Sequence, residues 1–455
     1  MLNKQDNEFL TRVGPGTPLG NLMREYWVPA LPSAEFPEPD SPPKRMRLLG
    51  ENLVMFRDSE GKMGCFVESC PHRGASLFFA RNEETGLRCV YHGWKYDVTG
   101  ACVDMPSEPA ESNFKSKVRV RAYPCNDVNH MVWVYMGPRE VPPPFPQFEI
   151  NTLPPENVAP PAIMMEEANW MQNIEGDLDT AHLDWLHARR SEDAPPPPLG
   201  ITGTWPKDFQ PRLDVVRTDY GAFYSGIRTW DEEGNEWHRI NQFIFPFHTM
   251  ISGLGCAILR SFVPLDDEWA MLISQVAGTD GPPPVELLQV LSDDAFRPVG
   301  GFVERTSDPR SYFYTAANKH NDYMRDFEVE KQSMVSGVPF IGNLQDRAMT
   351  ELMTGANGEV IYDRSREHLG TTDSMVIAVR RELLKAAKTF AEQGIAPANV
   401  DNVQLDRVRQ ATLLLPKGTD WVAATEGYRN ADAGLPILAG AALATPAAGQ
   451  PDRIA

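Results

Sequence analysis

Two short segments constrain this chain more than any others: Cys70-Pro71-His72 and Cys89-Val90-Tyr91-His92, a Cys-x-His and a Cys-x-x-His pair separated by 16 residues. Each offers one thiolate and one imidazole, and each runs at once into glycine or arginine-glycine, residues of tight turns. The pattern asks for two turns held side by side. The flanking sequence can hold them, because from Lys44 to Met136 it consists of short β-rich segments (Arg45–Leu49, Leu53–Arg57, Val118–Tyr123, Met131–Tyr135) broken by Gly, Pro and Asp turns. Four ligands of this kind can hold zinc, although zinc fingers usually place two cysteines on one knuckle and two histidines on a helix.

The rest of the chain divides around this unit. Residues 1–137 read as an N-terminal arm, with a helical pattern around Leu19 to Tyr26, followed by the small all-β domain. Residues 138–162 carry nine prolines between Pro138 and Pro161 and read as a semi-rigid linker. In 163–430, Glu166 to Arg190 is helical in pattern and is stopped by the prolines of Ala194 to Gly200. Alternating strands then run through Arg212–Val216, Ala222–Thr229, Trp237–Phe245, Ala257–Val263 and Trp269–Val276. Helical patterns follow at Gln345–Met353 and from Thr371 or Thr372 to Phe390, closed by Gly394. The Ala/Gly/Pro-rich tail, 431–455, reads as poorly ordered. The fold class expected is α+β: an all-β domain, then a helix-flanked antiparallel sheet.

Composition removes several function classes. A net charge of −19 repels a phosphate backbone and argues against nucleic-acid binding. No apolar run approaches the ~18 residues of a membrane span, and the first residues carry no apolar leader, so a cytoplasmic location is expected. Six cysteines are too few for a disulfide framework; Cys65, Cys102, Cys125 and Cys256 match no ligand position and read as small buried hydrophobes. His130, His238, His248, His320 and His368 carry no ligand pattern.

Mixed Cys/His knuckles on a β-rich domain suit a Rieske [2Fe–2S] centre, in which two thiolates hold one iron and two imidazoles the other. Cys70-Pro71-His72-Arg73-Gly74-Ala75 and Cys89-Val90-Tyr91-His92-Gly93-Trp94-Lys95-Tyr96-Asp97 resemble the Rieske domain of ring-hydroxylating oxygenases. That resemblance implies an electron-accepting cluster held by Cys70, His72, Cys89 and His92. A Rieske domain alone is also compatible with a simple electron carrier.

Beyond the linker, Asn173 to His187 contains Asp-x-x-His-x-x-x-x-His. Non-heme oxygenases hold Fe(II) by two histidines and one carboxylate, leaving positions open for dioxygen and substrate. On a regular helix a spacing of five places His182 and His187 about 140° apart, so both reach one metal only if a π-type turn or a helix end intervenes. An isolated pair of this kind also fits two histidines packed in a core. The segment is similar to the mononuclear-iron motif of the same oxygenases, which implies His182 and His187 as iron ligands. It implies Asp179 as a bridging carboxylate that contacts His92 of a neighbouring subunit. Leu344 to Glu351 resembles the helix that supplies the third ligand in that family; Asp346 is preferred over Glu351, with a plain solvated helix carboxylate as the alternative.

Gly14 to Pro18, Asp104 to Pro109 and Asp363 to Asp373 resemble the phthalate-dioxygenase branch. This implies α-subunits alone, as a homotrimer or paired trimers, fed by an NADH-dependent flavin/ferredoxin-type reductase. It also implies an aromatic carboxylate as substrate with O2, by cis-dihydroxylation or O-demethylation. A carboxylate needs a cation, and strand alternation sets Trp237, Arg239, Asn241 and Phe243 on one face. Arg239 is the expected partner, against a reading as a surface arginine paired with an acid; Arg212 and Arg228 are weaker candidates.

Overall fold

The computed structural model of the chain describes residues 2–187, 208–252, 256–285, 288, 298–339, 342–355, 357–402, 404–431 and 438–439. The proline stop after Ala194, and the tail apart from residues 431, 438 and 439, lie outside the described residues. An α+β fold results, with three small antiparallel sheets followed by one large one.

The N-terminal arm is more regular than its sequence suggests. Asn3 caps a helix Lys4–Thr11, and Thr17 with Pro18 at the first helical position starts a second, Pro18–Met23. Trp27–Pro32 then pairs with Met131–Tyr135, and Cys125–Val128 completes a three-stranded sheet. A four-stranded sheet (Lys44–Leu48, Glu51–Arg57, Met63–Val67, Ala122–Tyr123) carries a second of short strands: Arg81–Glu83, Gly86–Arg88, Lys95–Tyr96 and Cys102–Asp104. A compact core of Val54, Phe56, Phe66, Leu87 and Tyr96 lies between them.

The large sheet has nine strands among the described residues. Its main path is antiparallel: Ala162–Glu166, Ala270–Ala277, Ala257–Pro264, His248–Met250, Asn235–Ile244, Gly221–Thr229 and Arg212–Arg217. All five strands expected here are present. The strand Ala411–Pro416 was not anticipated; it shares one edge of Asn235–Ile244 with His248–Met250. The helix Ser374–Gln393, closed by Gly394 in a left-handed conformation, packs Met375, Val379 and Leu383 against the core. It begins later than expected, because Thr371–Asp373 forms a separate 3-10 turn.

Three expectations change. Glu166 ends a strand rather than starting a helix, and the helix that follows, Trp170–Leu178, is only nine residues long. Cys65, Cys102 and Cys256 are buried as expected, but Cys125 is half-exposed, its thiol turned to the Tyr123 carbonyl. The proline-rich stretch is packed rather than a spacer. Phe148 and Ile150 are buried, Trp27 donates to the Pro143 carbonyl (3.0 Å), Asn129 donates to the Ile150 and Leu153 carbonyls, and Arg409 pairs with Glu149. One hydrophobic core therefore runs from Leu10 and Trp133 through Phe148 to Phe243 and Leu272. The turn Leu49-Gly50 adds backbone hydrogen bonds to Pro264 and Leu265, and Arg47 pairs with Asp266.

Candidate metal centres and active site

The two Cys/His turns fold alike. Cys70 N–H donates to the Ala75 carbonyl and Gly74 N–H to the Cys70 carbonyl; Cys89 and Gly93 repeat the pattern with Trp94 and Cys89. Gly74 and Gly93 sit at φ 76° and 79°, a conformation that glycine takes without strain. The thiols are buried and the imidazoles half-buried, with the two Nδ1 atoms 3.1 Å apart. His72 stacks on Trp94, 4.3 Å between centroids, and the Tyr96 hydroxyl lies 3.3 Å from Cys70 Sγ. A single zinc would draw all four donors together. Among the described residues the three-donor group within 4.8 Å lies elsewhere, at His182, His187 and Asp346, while the two imidazoles meet Nδ1 to Nδ1, an arrangement that could serve a two-iron cluster with thiolates on one iron and imidazoles on the other.

That other group depends on a broken helix. Trp170–Leu178 stops at Asp179, whose extended backbone is the C-cap, and a 3-10 turn follows at His182–Asp184. The helix end required by the spacing of five is present, and it lets His182 and His187 converge with ring centroids 5.1 Å apart. Asp346, on the helix Gly342–Thr350, places Oδ1 3.1 Å from His187 Nε2 and 3.5 Å from His182 Nε2. Burial alone would raise the Asp346 carboxyl; His187 and His182 outweigh it and hold it below the usual range. Glu351 is committed elsewhere, to Arg347 at 2.5 Å and to the Tyr323 hydroxyl at 2.8 Å. Two imidazoles and one carboxylate on one side of a space are a donor set for one divalent ion with open positions.

Asp179 Oδ2 lies 3.4 Å from His182 Nδ1, while its Oδ1 accepts the Ala181 N–H. Beside the three residues a cavity of about 840 Å³ opens, walled by Asp179, Trp185, Tyr323, Val338, Met349 and Leu352 among others. That volume suits a drug-sized aromatic molecule.

The three arginine candidates separate cleanly. Arg212 is exposed and pairs with Glu236. Arg228 is fully buried and clamps the broken segment: Nε and Nη2 donate to Asp184 (3.1 and 2.8 Å), Nη2 to the Thr180 carbonyl (2.6 Å) and Nη1 to Thr180 Oγ1 (3.2 Å). Gly226 on the same strand allows this approach, since a Cβ there would stand 2.9 Å from the Thr180 methyl. Arg239 is buried and donates through Nε to the Ser252 carbonyl. Arg228, Arg260, Arg347 and Arg380 are equally buried and each pairs with a carboxylate; among the described residues Arg239 has no such partner. Burial lowers its pKa. Burial likewise opposes charge on His182; Asp179 and Asp346 outweigh this and raise its pKa, and Arg239 is near enough to oppose them.

Sequence reasoning missed Gln345, whose side-chain carbonyl is 2.7 Å from His187 Nδ1, and it misjudged Arg228. Gln345 left one signal, a polar residue immediately before Asp346. The remaining histidines are structural where buried. Burial pushes His248 down to about 3 and His238 down to about 4, and each ring is paired with a serine hydroxyl.

Comparison with known proteins identifies the family. Residues 26–124 match the Rieske [2Fe-2S] domain, and residues 134–436 match the family described as LigXa C-terminal domain like. The chain therefore belongs to the Rieske oxygenases, whose cofactors are a [2Fe–2S] cluster and a mononuclear non-heme iron. It is similar to the 3-chlorobenzoate-3,4-dioxygenase oxygenase subunit of Comamonas testosteroni, with 39% identity over 93% of this chain and 97% of that protein. It is also similar to the phthalate 4,5-dioxygenase oxygenase subunit of Pseudomonas putida, with 33% identity over 92% and 94%. The 5,5'-dehydrodivanillate O-demethylase oxygenase subunit of Sphingobium sp. is 35% identical over 60% of this chain and 62% of that protein. Dicamba monooxygenase shares the fold, with a TM-score of 0.55 at 16% identity over 82% of this chain and 99% of that one. Within the family this chain is an oxygenase component of the phthalate-dioxygenase-like branch, a terminal oxidoreductase rather than a bare electron carrier. No described helix is long and apolar enough to cross a membrane.

Proposed function

We propose that this chain oxygenates an aromatic carboxylic acid, by ring cis-dihydroxylation or by O-demethylation of a methoxy aromatic acid. One observation carries the substrate class: Arg239, a buried guanidinium without a carboxylate partner among the described residues, close to His182. Burying an unpaired charge costs several kcal/mol, and a substrate carboxylate supplies the missing partner. Two of the relatives are named for oxygenating chlorobenzoate and phthalate, both aromatic carboxylates.

In this reading Cys70 and Cys89 hold one cluster iron and His72 and His92 the other, while His182, His187 and Asp346 hold the mononuclear iron. When bound, these groups supply dioxygen activation and the electrons for it. Arg239 does not line the cavity; in this reading the acid's carboxylate reaches past His182 toward it, while the apolar wall around Trp185, Val338 and Met349 excludes water and receives the ring. Asp179 accepts a hydrogen bond from His182 and faces His92 of the next subunit in a homotrimer or paired trimers. The donor is an NADH-dependent flavin/ferredoxin-type reductase, and the location is cytoplasmic.

Turnover of a panel of aromatic acids with reductase and NADH tests the proposal, scoring cis-diol against formaldehyde. Product from at least one carboxylate, and none from its methyl ester, is expected. Turnover confined to neutral alcohols would overturn the substrate class.

A further inference from the structure

The two histidines of the triad have unlike outer partners. His182 turns Nδ1 toward a carboxylate, Asp179, whereas His187 turns Nδ1 toward a neutral amide, Gln345, at 2.7 Å. Gln345 is completely buried, and its own neighbours settle which end of the amide faces the imidazole. Its Nε2 donates to the Val338 carbonyl (3.2 Å) and to Ser336 Oγ (3.1 Å). A backbone carbonyl accepts only, so the NH2 end lies there and Oε1 is the end that meets His187. An oxygen accepts from N–H; Nδ1 of His187 therefore carries a proton, and Nε2, which faces Asp346 Oδ1 across the space between the three donors, is the nitrogen left for a metal.

We infer that Gln345 is a positioning residue that fixes the tautomer and ring orientation of His187, committing Nε2 to the metal. The inference rests on the reading of His187 and Asp346 as iron ligands. Helix geometry explains how adjacent residues share the work: about 100° separates Gln345 from Asp346, so one reaches inward behind His187 while the other faces the cavity. A neutral partner also suits the place. Asp346 and Asp179 already offset a divalent cation, and a third carboxylate in this buried position would carry uncompensated charge.

The test uses full-length protein with an intact cluster, stripped of mononuclear iron and titrated with ferrous ion alone. Gln345→Leu, which removes the acceptor at similar volume, is expected to weaken ferrous binding about 10- to 100-fold, as loss of an outer partner to a metal-bound histidine does. The visible spectrum of the cluster should stay unchanged. Gln345→Asn keeps the amide but is one methylene too short and should lose iron likewise, which keeps the test sharp if the leucine variant folds poorly. Gln345→Glu retains an acceptor toward His187 at the cost of added charge and a lost donor to the Val338 carbonyl; it should bind ferrous ion more tightly than Gln345→Leu though below wild type, with an altered ferrous nitrosyl EPR signal. Wild-type affinity in the leucine or asparagine variant, or no recovery with glutamate, would overturn the inference. His187→Ala separates the two levels: if it keeps iron, the ligand assignment itself fails; if it loses iron while Gln345→Leu does not, only the positioning role fails.

Discussion

Replacing Arg228 by methionine removes a guanidinium that is fully buried and makes four hydrogen bonds to Thr180 and Asp184, which flank His182, the first of the two candidate iron-binding histidines. The substitution keeps most of the volume, so the loss is polar. Asp184, itself buried, loses its pairing with Arg228, and the Thr180 carbonyl loses its 2.6 Å donor. Breaking a buried pair by truncating one partner typically costs about 3–5 kcal/mol. Because both acceptors lie in 180–184, the first effect is local: His182 and His187 lose their fixed relation before the sheet unfolds. The expected result is a chain that keeps its cluster spectrum, unfolds at lower denaturant and retains little mononuclear iron. A second substitution supplies the control. Arg228→Lys keeps a cation but not the planar fork that reaches Asp184 and Thr180 together, so it should retain part of the stability that methionine loses. Unaltered stability and iron content in the methionine variant would refute the clamp, as would a lysine variant no better than the methionine one.

Arg239→Met should weaken binding of the aromatic acid by about 2–5 kcal/mol, the cost of stranding a buried charge, as read by calorimetry; an unchanged Kd would rule out the carboxylate contact. Asp179→Asn should keep both metal centres and the oligomer while product formation under single-turnover conditions nearly stops, and wild-type rates would place the electron route elsewhere. Tyr96→Phe removes the hydroxyl 3.3 Å from Cys70 Sγ; loss of a hydrogen bond worth about 1.4 kcal/mol to the reduced, more negative cluster should lower its potential by about 60 mV in a redox titration. No shift would show that the bond favours both oxidation states equally.

Much of the site was legible in the sequence because its residues are close in the chain. The turns at Cys70 and Cys89 carry their own glycines, and the five-residue interval from His182 to His187 required an interrupted helix if both were to reach one metal. Asp346 could be named but not separated from Glu351 by spacing; their burial partners separate them, since Tyr323 and Arg347 occupy Glu351. Arg228 was unreadable. Its acceptor Thr180 lies 48 residues earlier, and no local pattern reports that a strand arginine crosses to a distant loop. The prolines of 138–162 misled in another way. They do exclude a regular ladder, but Phe148 and Ile150 among them have apolar surface to bury, and it joins the main core.

The shared core has a consequence for how such a molecule controls its chemistry. Carriers that shuttle charge often set their rate by letting a small module pivot between donor and acceptor. Here the cluster-bearing sheets and the nine-stranded sheet are cast in one hydrophobic mass, cross-tied by Leu49, Gly50, Arg47 and the packed strap of prolines. Among the described residues no hinge is left between them. On the proposed assignment the separation between the Cys/His turns and the His182, His187 and Asp346 group is set by that core, so any throttle on electron flow would act at the cavity or at the outer hydrogen bonds.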